Sequence, residues 1–231
     1  MKQIFDRYVE TSFDGEDQAV FKFPQFDFNY RAYFPQDRDA AVLDIGIGRG
    51  EMLHCMKAWG YQEQGVDISP STVAHCARLG LRCEVAGDTA AWLAARPGRY
   101  RLITCLDVLE HVPGDQAIGF VAAIRAALAG DGVAIIQVPN LQSPFGYLHH
   151  FNDFTHVNGF VEHSLAQVLL SAGFTRFEFH GFEESGRGGT KAFVRRRLRS
   201  LYRGAVHFLR RLNDNPDPRL LHPVLYAVVR K

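Results

Sequence analysis

The stretch Ala41-Val-Leu-Asp-Ile-Gly-Ile-Gly-Arg-Gly50 constrains the fold of this chain more than any other. Apolar and β-branched residues lead to Asp44 and then to three alternating glycines, Gly46, Gly48 and Gly50, ahead of Glu51, where a helical pattern opens. A short buried strand, a glycine turn and a helix start make a corner where backbone can approach a ligand closely and free helical N–H groups face it. A dinucleotide fingerprint would set its third glycine where this chain has Glu51, and a pyrophosphate there would meet that carboxylate with Asp44 close by. Two acids at the corner suit a cation.

The pattern downstream repeats strand and helix. A strand near 62–66 ends in Asp67, 21 residues after Gly46, close to the interval of about 20 at which a Rossmann-like unit sets an acid against a ribose diol. A carboxylate accepts both hydroxyl protons at once. The other reading of Asp67, a helix N-terminal acid, competes with Ser69 and Pro70, which already supply that start. Strands are predicted at 81–85, 101–106 and 133–138, with helices over 51–58, 70–79, 88–95 and 116–129. The last of these carries Ile118, Val121, Ile124 and Leu128 on one face and stops at Gly130-Asp-Gly132. Such alternation specifies a doubly wound, mostly parallel α/β sheet, with Asp44, Asp67, Asp88 and Asp107 at the carboxyl ends of successive strands, where ligands bind.

The pattern D-x-G-x-G-x-G followed by an acid, the segment Asp107-Val-Leu-Glu-His-Val112 and the run Leu128-Ala-Gly-Asp-Gly-Val-Ala-Ile-Ile-Gln-Val-Pro-Asn140 resemble class I S-adenosylmethionine-dependent methyltransferases. The resemblance implies a Rossmann-like, seven-stranded, mostly parallel sheet whose last strand is antiparallel, with S-adenosylmethionine as cofactor. Gly46, Gly48 and Gly50 would then shape the turn for the methionine portion, with Asp44 near its ammonium. Asp67 and Ile68 would hold the ribose, and Gly87 and Asp88 the adenine. Asp88 also reads as a helix cap. Leu106 and Asp107 would close the pocket under the sulfonium, and His111 would line the site there, either as a base or only to orient its loop.

The segment 141–163 is a long polar loop, and long loops over a rigid sheet tend to carry function. His149, His150, Asp153, His156 and His163 crowd into it. The block Asp153-Phe-Thr-His156, a following phenylalanine and a Ser164-Leu165 helix ending Ala172-Gly-Phe174 resemble methyltransferases of bacterial surface-polysaccharide and O-antigen biosynthesis, over about residues 41–182. That implies a sugar hydroxyl as acceptor, on a surface glycan or glycolipid precursor. A protonated hydroxyl is a poor nucleophile, so a base is needed, and a carboxylate beside an imidazole fixes its tautomer. His156 is the nominated base and Asp153 its partner. The same pair also reads as a tie within the loop or, with His149 or His150, as ligands of a divalent ion; no metal is expected, because a hard cation wants more oxygens than Asp153 and Glu162 provide. His149 or His150 as base stays open. Two other functions stay open too: methylation of a small aromatic or quinone-like acceptor, and a non-catalytic subunit that merely holds the cofactor.

The 231 residues fit one domain. Residues 1–39, rich in aromatics and broken by Pro24 and Pro35, are expected as a lid or flank, 40–182 as the core, 183–219 as a basic helical insertion and 220–231 as the last strand. Within the insertion, 191–212 carries Val194, Leu198, Leu201, Ala205 and Leu209 along one stripe, with Arg195, Arg196, Arg197, Arg199, Arg203, Arg210 and Arg211 over much of the rest. That reads as a contact with an anionic membrane surface or phosphate-bearing glycolipid, as a core-facing helix with a solvated back, or as a homodimer contact. A net charge of +1 does not point to nucleic acid. No apolar run approaches the roughly 18 residues of a membrane span, and the start lacks a signal-peptide core; a cytoplasmic protein, peripheral at the inner face of the membrane, is expected. Cys55, Cys76, Cys83 and Cys105 form no C-x-x-C pair and read as small buried hydrophobes.

Overall fold

The computed structural model describes residues 23–183, 189–215 and 218–231, with backbone alone at 191 and 192. Of the aromatics read at the amino end, Phe5, Tyr8, Phe13 and Phe21 lie outside the described residues, as do Gly186 and Gly188.

The aromatic segment begins in α1 (Phe23–Tyr30). Pro24 does not break this helix because it stands in the first turn, where its missing N–H has no intrahelical partner to lose. Phe26, Tyr30 and Phe34 are buried, and their rings meet Phe182, Tyr226 and Trp59. β1 (Val42–Ile45) is buried at every position. Leu43 and Ile45 join one core layer and Val42 the other, as the two-residue period of a strand requires. After the glycine turn comes α2 (Glu51–Ala58), with Gly60 just past its end at φ +88°.

The chain continues through β2 (Gly65–Asp67), α3 (Pro70–Arg78), β3 (Cys83–Val85), α4 (Thr89–Ala94), β4 (Tyr100–Leu106), α5 (Gly114–Ala127) and β5 (Leu128–Pro139), then α6 (Gly146–Phe151), α7 (Glu162–Ser171), β6 (Arg176–Gly181), α8 (Thr190–Leu212) and β7 (Val224–Arg230). The seven strands form one sheet in the order β3-β2-β1-β4-β5-β7-β6. β7 runs antiparallel to both neighbours, and the other pairings are parallel. This is the Rossmann-like sheet expected, with helices on both faces. From β1 the chain winds out to β3 and then returns to β4 on the other side, so a crevice opens at the carboxyl ends of β1 and β4.

Four local readings need correction. The helix expected to reach 129 ends at Ala127; β5 starts at Leu128 and swallows the supposed terminator, because Leu128 pairs with Tyr100 and the register then jumps to Leu102 with Val133. Gly130-Asp131-Gly132 is thus a bulge inside a strand. Ile118, assigned to the core face of α5, is exposed; Val121 and Ile124 are buried as expected, with Ala117 and Phe120 beside them. The loop 141–163 contains the short helix α6, which no cap or period announces. The stripe on α8 does not face the core: Val194, Leu198, Leu201 and Leu209 are all exposed.

Cys55, Cys76 and Cys105 are buried free thiols and Cys83 is half-buried, which fits their reading as hydrophobes. Burial pushes the Cys55 and Cys76 thiols up to about 12. Among the described residues, no helix is long and apolar enough to cross a membrane.

Candidate active site

A cleft of about 690 Å³ occupies the crevice at β1 and β4. Asp44, Gly46, Gly48, Asp67, Ile68, Gly87, Asp88, Leu106, Asp107 and His111 line it, together with Phe26, Glu51, Met52, Val108, Val112 and Phe120. Of the residues expected around the cofactor, Gly50 alone is not in that lining. It sits at φ +83° with its Cα turned toward α3 and the loop before β3, where an added Cβ would lie 2.5 Å from Leu81 Cδ1. Its part is to make the turn.

Each acid is held in place by the strand end that carries it. Asp44 accepts from the Thr104 hydroxyl on the neighbouring strand at 2.6 Å. Burial raises its carboxyl well above the usual range, and Glu51 and Asp67 add to this. Burial pushes Asp67 up to about 6, against the pull of backbone N–H groups of Ser69, Ile47, Gly48 and Ile68; the Ser69 amide lies 2.8 Å from Oδ1. Ser69 caps α3 through Thr72, so Asp67 is left to the cleft. Asp88 does cap α4, accepting from Ala91 at 2.9 Å, and lines the cleft as well.

Asp107 has φ +54°, a conformation uncommon outside glycine, and such residues cluster at functional sites. Gln137 holds it, donating from Nε2 to Oδ2 at 2.8 Å, and the buried Tyr30 hydroxyl donates in turn to Gln137 Oε1. This relay from α1 through β5 to the end of β4 was missed in the sequence, where Tyr30 and Gln137 read only as padding and strand. Thr104 was missed in the same way.

The imidazoles are sorted by the structure. His111, at the end of a single 3₁₀ turn (Leu109–His111), lines the cleft. His156 lies behind it, ring centroids 4.5 Å apart, and is not in the cleft lining. His149 and His163 are exposed. The expected pairing of Asp153 with His156 is replaced by another. Asp153 Oδ1 accepts from the Thr155 amide at 2.8 Å and from its hydroxyl at 2.6 Å, and Thr155 Oγ1 lies 2.8 Å from His111 Nδ1. Since the Thr155 proton goes to Asp153, that oxygen can only accept from His111, which puts the imidazole proton on Nδ1 and the lone pair on Nε2. The carboxylate therefore orients His111 through a hydroxyl. Burial, with His156 nearby, draws His111 down to about 4, against opposing pulls from Asp153 and the carbonyls of Thr155 and Asp107. His111 is neutral near pH 7.

His156 is fixed by the His150 carbonyl, 2.6 Å from Nδ1, and its Nε2 lies 3.8 Å from Glu110 Oε1. Glu110 is fully buried, and neither carboxyl oxygen has a hydrogen-bond partner. Burial raises it well above the usual carboxylate range, and the nearby Asp107 and Asp153 add to this. Ligand atoms of Glu110, His111 and His156 lie within 4.8 Å of one another, the grouping among the described residues that could hold a cation. The expected metal alternative with His149 or His150 is not assembled. A carboxylate flanked by leucine and histidine in Asp107-Val-Leu-Glu-His-Val112 was the available signal for Glu110.

No lysine or arginine lines the cleft among the described residues, and its charged groups are carboxyls. Such a set repels phosphate and receives an ammonium, a sulfonium and hydroxyl protons. Next to Gly48 an added Cβ would find its nearest atom, Glu51 Oε2, at 3.6 Å, so the turn leaves room for a ligand against the backbone. The residues present fit S-adenosylmethionine.

Comparison with known proteins agrees. A family model described as a methyltransferase domain matches residues 23–177. The chain is 36% identical over 96 residues to the ubiquinone biosynthesis O-methyltransferase of Burkholderia orbicola, a match covering 39% of this chain and 40% of that one. It is 38% identical over 104 residues to the enzyme so named from Paraburkholderia xenovorans, covering 43% and 44%. These matches span about two fifths of the relatives' length. Among solved structures, a SAM-dependent methyltransferase from Archaeoglobus fulgidus is similar with a TM-score of 0.71 at 19% identity, over 97% of this chain and 98% of that one. A Burkholderia thailandensis 1,6-didemethyltoxoflavin N1-methyltransferase, with S-adenosylhomocysteine bound, gives 0.55 at 20% identity, over 92% and 78%. At such identities the structural likeness shows the fold alone.

Proposed function

The chain belongs to the methyltransferase domain family, and from that premise we propose that it methylates a hydroxyl oxygen of a small phenolic or quinol-like acceptor, with His111 as general base. It is an S-adenosylmethionine-dependent methyltransferase. The observation carrying the oxygen chemistry is the single imidazole in the cleft lining, held by Thr155 and Asp153 in the tautomer that has its lone pair on Nε2. S-adenosylmethionine supplies, when bound, a methyl group on a positively charged sulfur. Asp67 would accept the ribose hydroxyls, Asp44 would face the ammonium, and Asp107 on its strained backbone would close the floor. His111 would take the acceptor's proton as the oxygen bonds to the methyl carbon in line and the carbon–sulfur bond breaks, leaving a neutral thioether. The names of the curated relatives and the apolar rings of Phe26 and Phe120 in the cleft favour a small aromatic acceptor over a free sugar.

A second reading, a sugar hydroxyl on a lipid-linked glycan, is favoured by the seven arginines of α8, which would meet a carrier phosphate. Labelled methyl transfer to catechols and quinols, against polyprenyl-linked sugars, decides between the two. His111→Ala should abolish turnover while leaving the cofactor Kd in place, whereas His156→Ala should keep measurable turnover. Full activity in His111→Ala would refute the base.

A further inference from the structure

We propose that α8 and the loop carrying α6 form one docking surface for an anionic lipid bilayer, which brings a membrane-carried acceptor to the cleft; this rests on the functional reading above. α8 has 23 residues without one Asp or Glu, and seven of them are arginine. Its length is roughly 35 Å at 1.5 Å per residue. One stripe along it is apolar and faces outward: Leu198, Leu201 and Phe208 are 61%, 71% and 65% exposed. Among the described residues, nothing covers this stripe. The opposite side touches the body of the protein, in part through Arg203 to Glu183 at 3.4 Å and Arg210 to the Gln142 carbonyl at 2.9 Å.

A second exposed apolar element lies beside α8. Tyr202 on α8 packs on Phe145 at the start of α6, ring centroids 5.5 Å apart. On that loop Phe151 and Phe154 stand 78% and 87% exposed, more than any phenylalanine of α8. Contiguous exposed apolar area flanked by positive charge marks a membrane or partner site. The charge selects the occupant: an uninterrupted basic helix with an apolar stripe complements acidic head groups over acyl chains, whereas a second copy would set these arginines against one another. The surface is joined to the chemistry, because the loop bearing Phe151 and Phe154 also bears Asp153 and Thr155, which hold His111 in the cleft. The acceptor class that fits is an amphiphile, with its hydroxyl on a polar head and an isoprenoid or acyl tail left in the lipid.

The test is sedimentation of the full chain with vesicles of phosphatidylcholine, with and without phosphatidylglycerol. Preferential binding to the anionic vesicles, weakened by salt, is expected. A Leu201→Asp, Phe208→Asp double variant and an Arg196→Glu, Arg197→Glu double variant should each bind roughly tenfold or more weakly, with unchanged thermal unfolding and unchanged methyl transfer to a water-soluble catechol. A Phe151→Asp, Phe154→Asp pair supplies an independent check on the second element. Equal binding of the wild-type chain to both vesicles or to neither, undiminished binding by all three variants, or a stable dimer that buries the stripe in place of lipid would each overturn the proposal. Loss of methyl transfer to every hydroxyl acceptor tried would instead strike the functional reading and leave the vesicle result standing.

Discussion

Three glycines of one turn separate the stability of the fold from its hold on the cofactor. Gly50 and Gly48 both have left-handed backbone, φ +83° and +51°, where a side chain costs about 1–2 kcal/mol. At Gly50 an alanine Cβ would also lie 2.5 Å from Leu81 Cδ1 and 3.2 Å from Cys76 Sγ, in a packed layer where inserting a methyl costs a further 1–3 kcal/mol or so. At Gly48 the nearest atom is 3.6 Å away, so only the backbone cost applies. Gly50→Ala should therefore lose about 2–5 kcal/mol and Gly48→Ala about 1–2. For a chain of this size each kcal/mol corresponds to roughly 2–4 °C in Tm.

Affinity should rank the other way. Gly48 lines the cleft and Gly50 does not, so a methyl at 48 occupies ligand space whereas one at 50 only strains the turn. Urea unfolding without cofactor and isothermal titration of S-adenosylmethionine into each folded variant measure the two quantities. Gly46→Ala should do both kinds of harm, since its Cβ would lie 2.2 Å from Val108 Cγ2 and Gly46 also lines the cleft. Equal destabilisation at 48 and 50, or a larger affinity loss at 50, would refute this division of labour.

Asp67, raised by burial to about 6, must be ionised to accept both ribose hydroxyls, so cofactor Kd should rise about tenfold per pH unit below that value; an Asp67→Asn variant that keeps this dependence would contradict the assignment. The same shift makes the folded chain hold a proton that the unfolded chain releases near the ordinary carboxylate value of 3.8, so Asp67's contribution to cofactor-free stability falls as pH climbs from 3.8 to about 6; a urea midpoint that Asp67→Asn leaves equally pH-dependent would exclude it. Tyr30→Phe removes the donor to Gln137 Oε1 inside the core and should cost about 1–3 kcal/mol by urea unfolding; a neutral outcome would mean the relay to Asp107 is not held from α1. Prolonged EDTA treatment should leave turnover unchanged, because burial disfavours the charged form of Glu110 that a cation would need and His111 is the proposed base; loss reversed by zinc would turn His111 from base to ligand.

The cofactor corner was legible because its information is local. Strand, turn and helix start lie within Ala41–Ala58, and the acid after β2 follows at a fixed interval set by one βαβ unit. What escaped was contact between distant segments. Tyr30 and Gln137 are 107 positions apart, and Thr155 and His111 are 44 apart, so no spacing rule joins them. The proposed base therefore differs from the one nominated in the sequence: Asp-Phe-Thr-His named Asp153 and His156, whereas the threonine between them links Asp153 to His111. β5 was misread for a different reason. Gly130-Asp-Gly132 has terminator composition, yet the sheet absorbs it as a bulge because Leu128 still finds Tyr100. The stripe on α8 was read correctly as apolar, but which way it faces is decided by the body it leaves.

The base and the acceptor loop cannot vary independently in this molecule. The Glu110 carbonyl accepts from the amides of both Val157 and Asn158, at 2.9 and 3.0 Å, and the Asn158 side chain donates to the Val112 carbonyl. These bonds clamp the outgoing end of the loop to the turn that carries His111. Because the clamp is mostly main chain, side chains on the outer part of the loop, Tyr147, Leu148, Phe151 and Phe154, are free of any duty toward it and stand exposed. A change there would alter what the surface meets without moving the imidazole. Substituting Thr155, by contrast, breaks the hydroxyl link between Asp153 and His111, so a Thr155→Val variant should lower kcat with little effect on cofactor Kd, and Thr155→Ser should restore it. The loop is thus divided into an outer, exposed part and an inner part tied to His111.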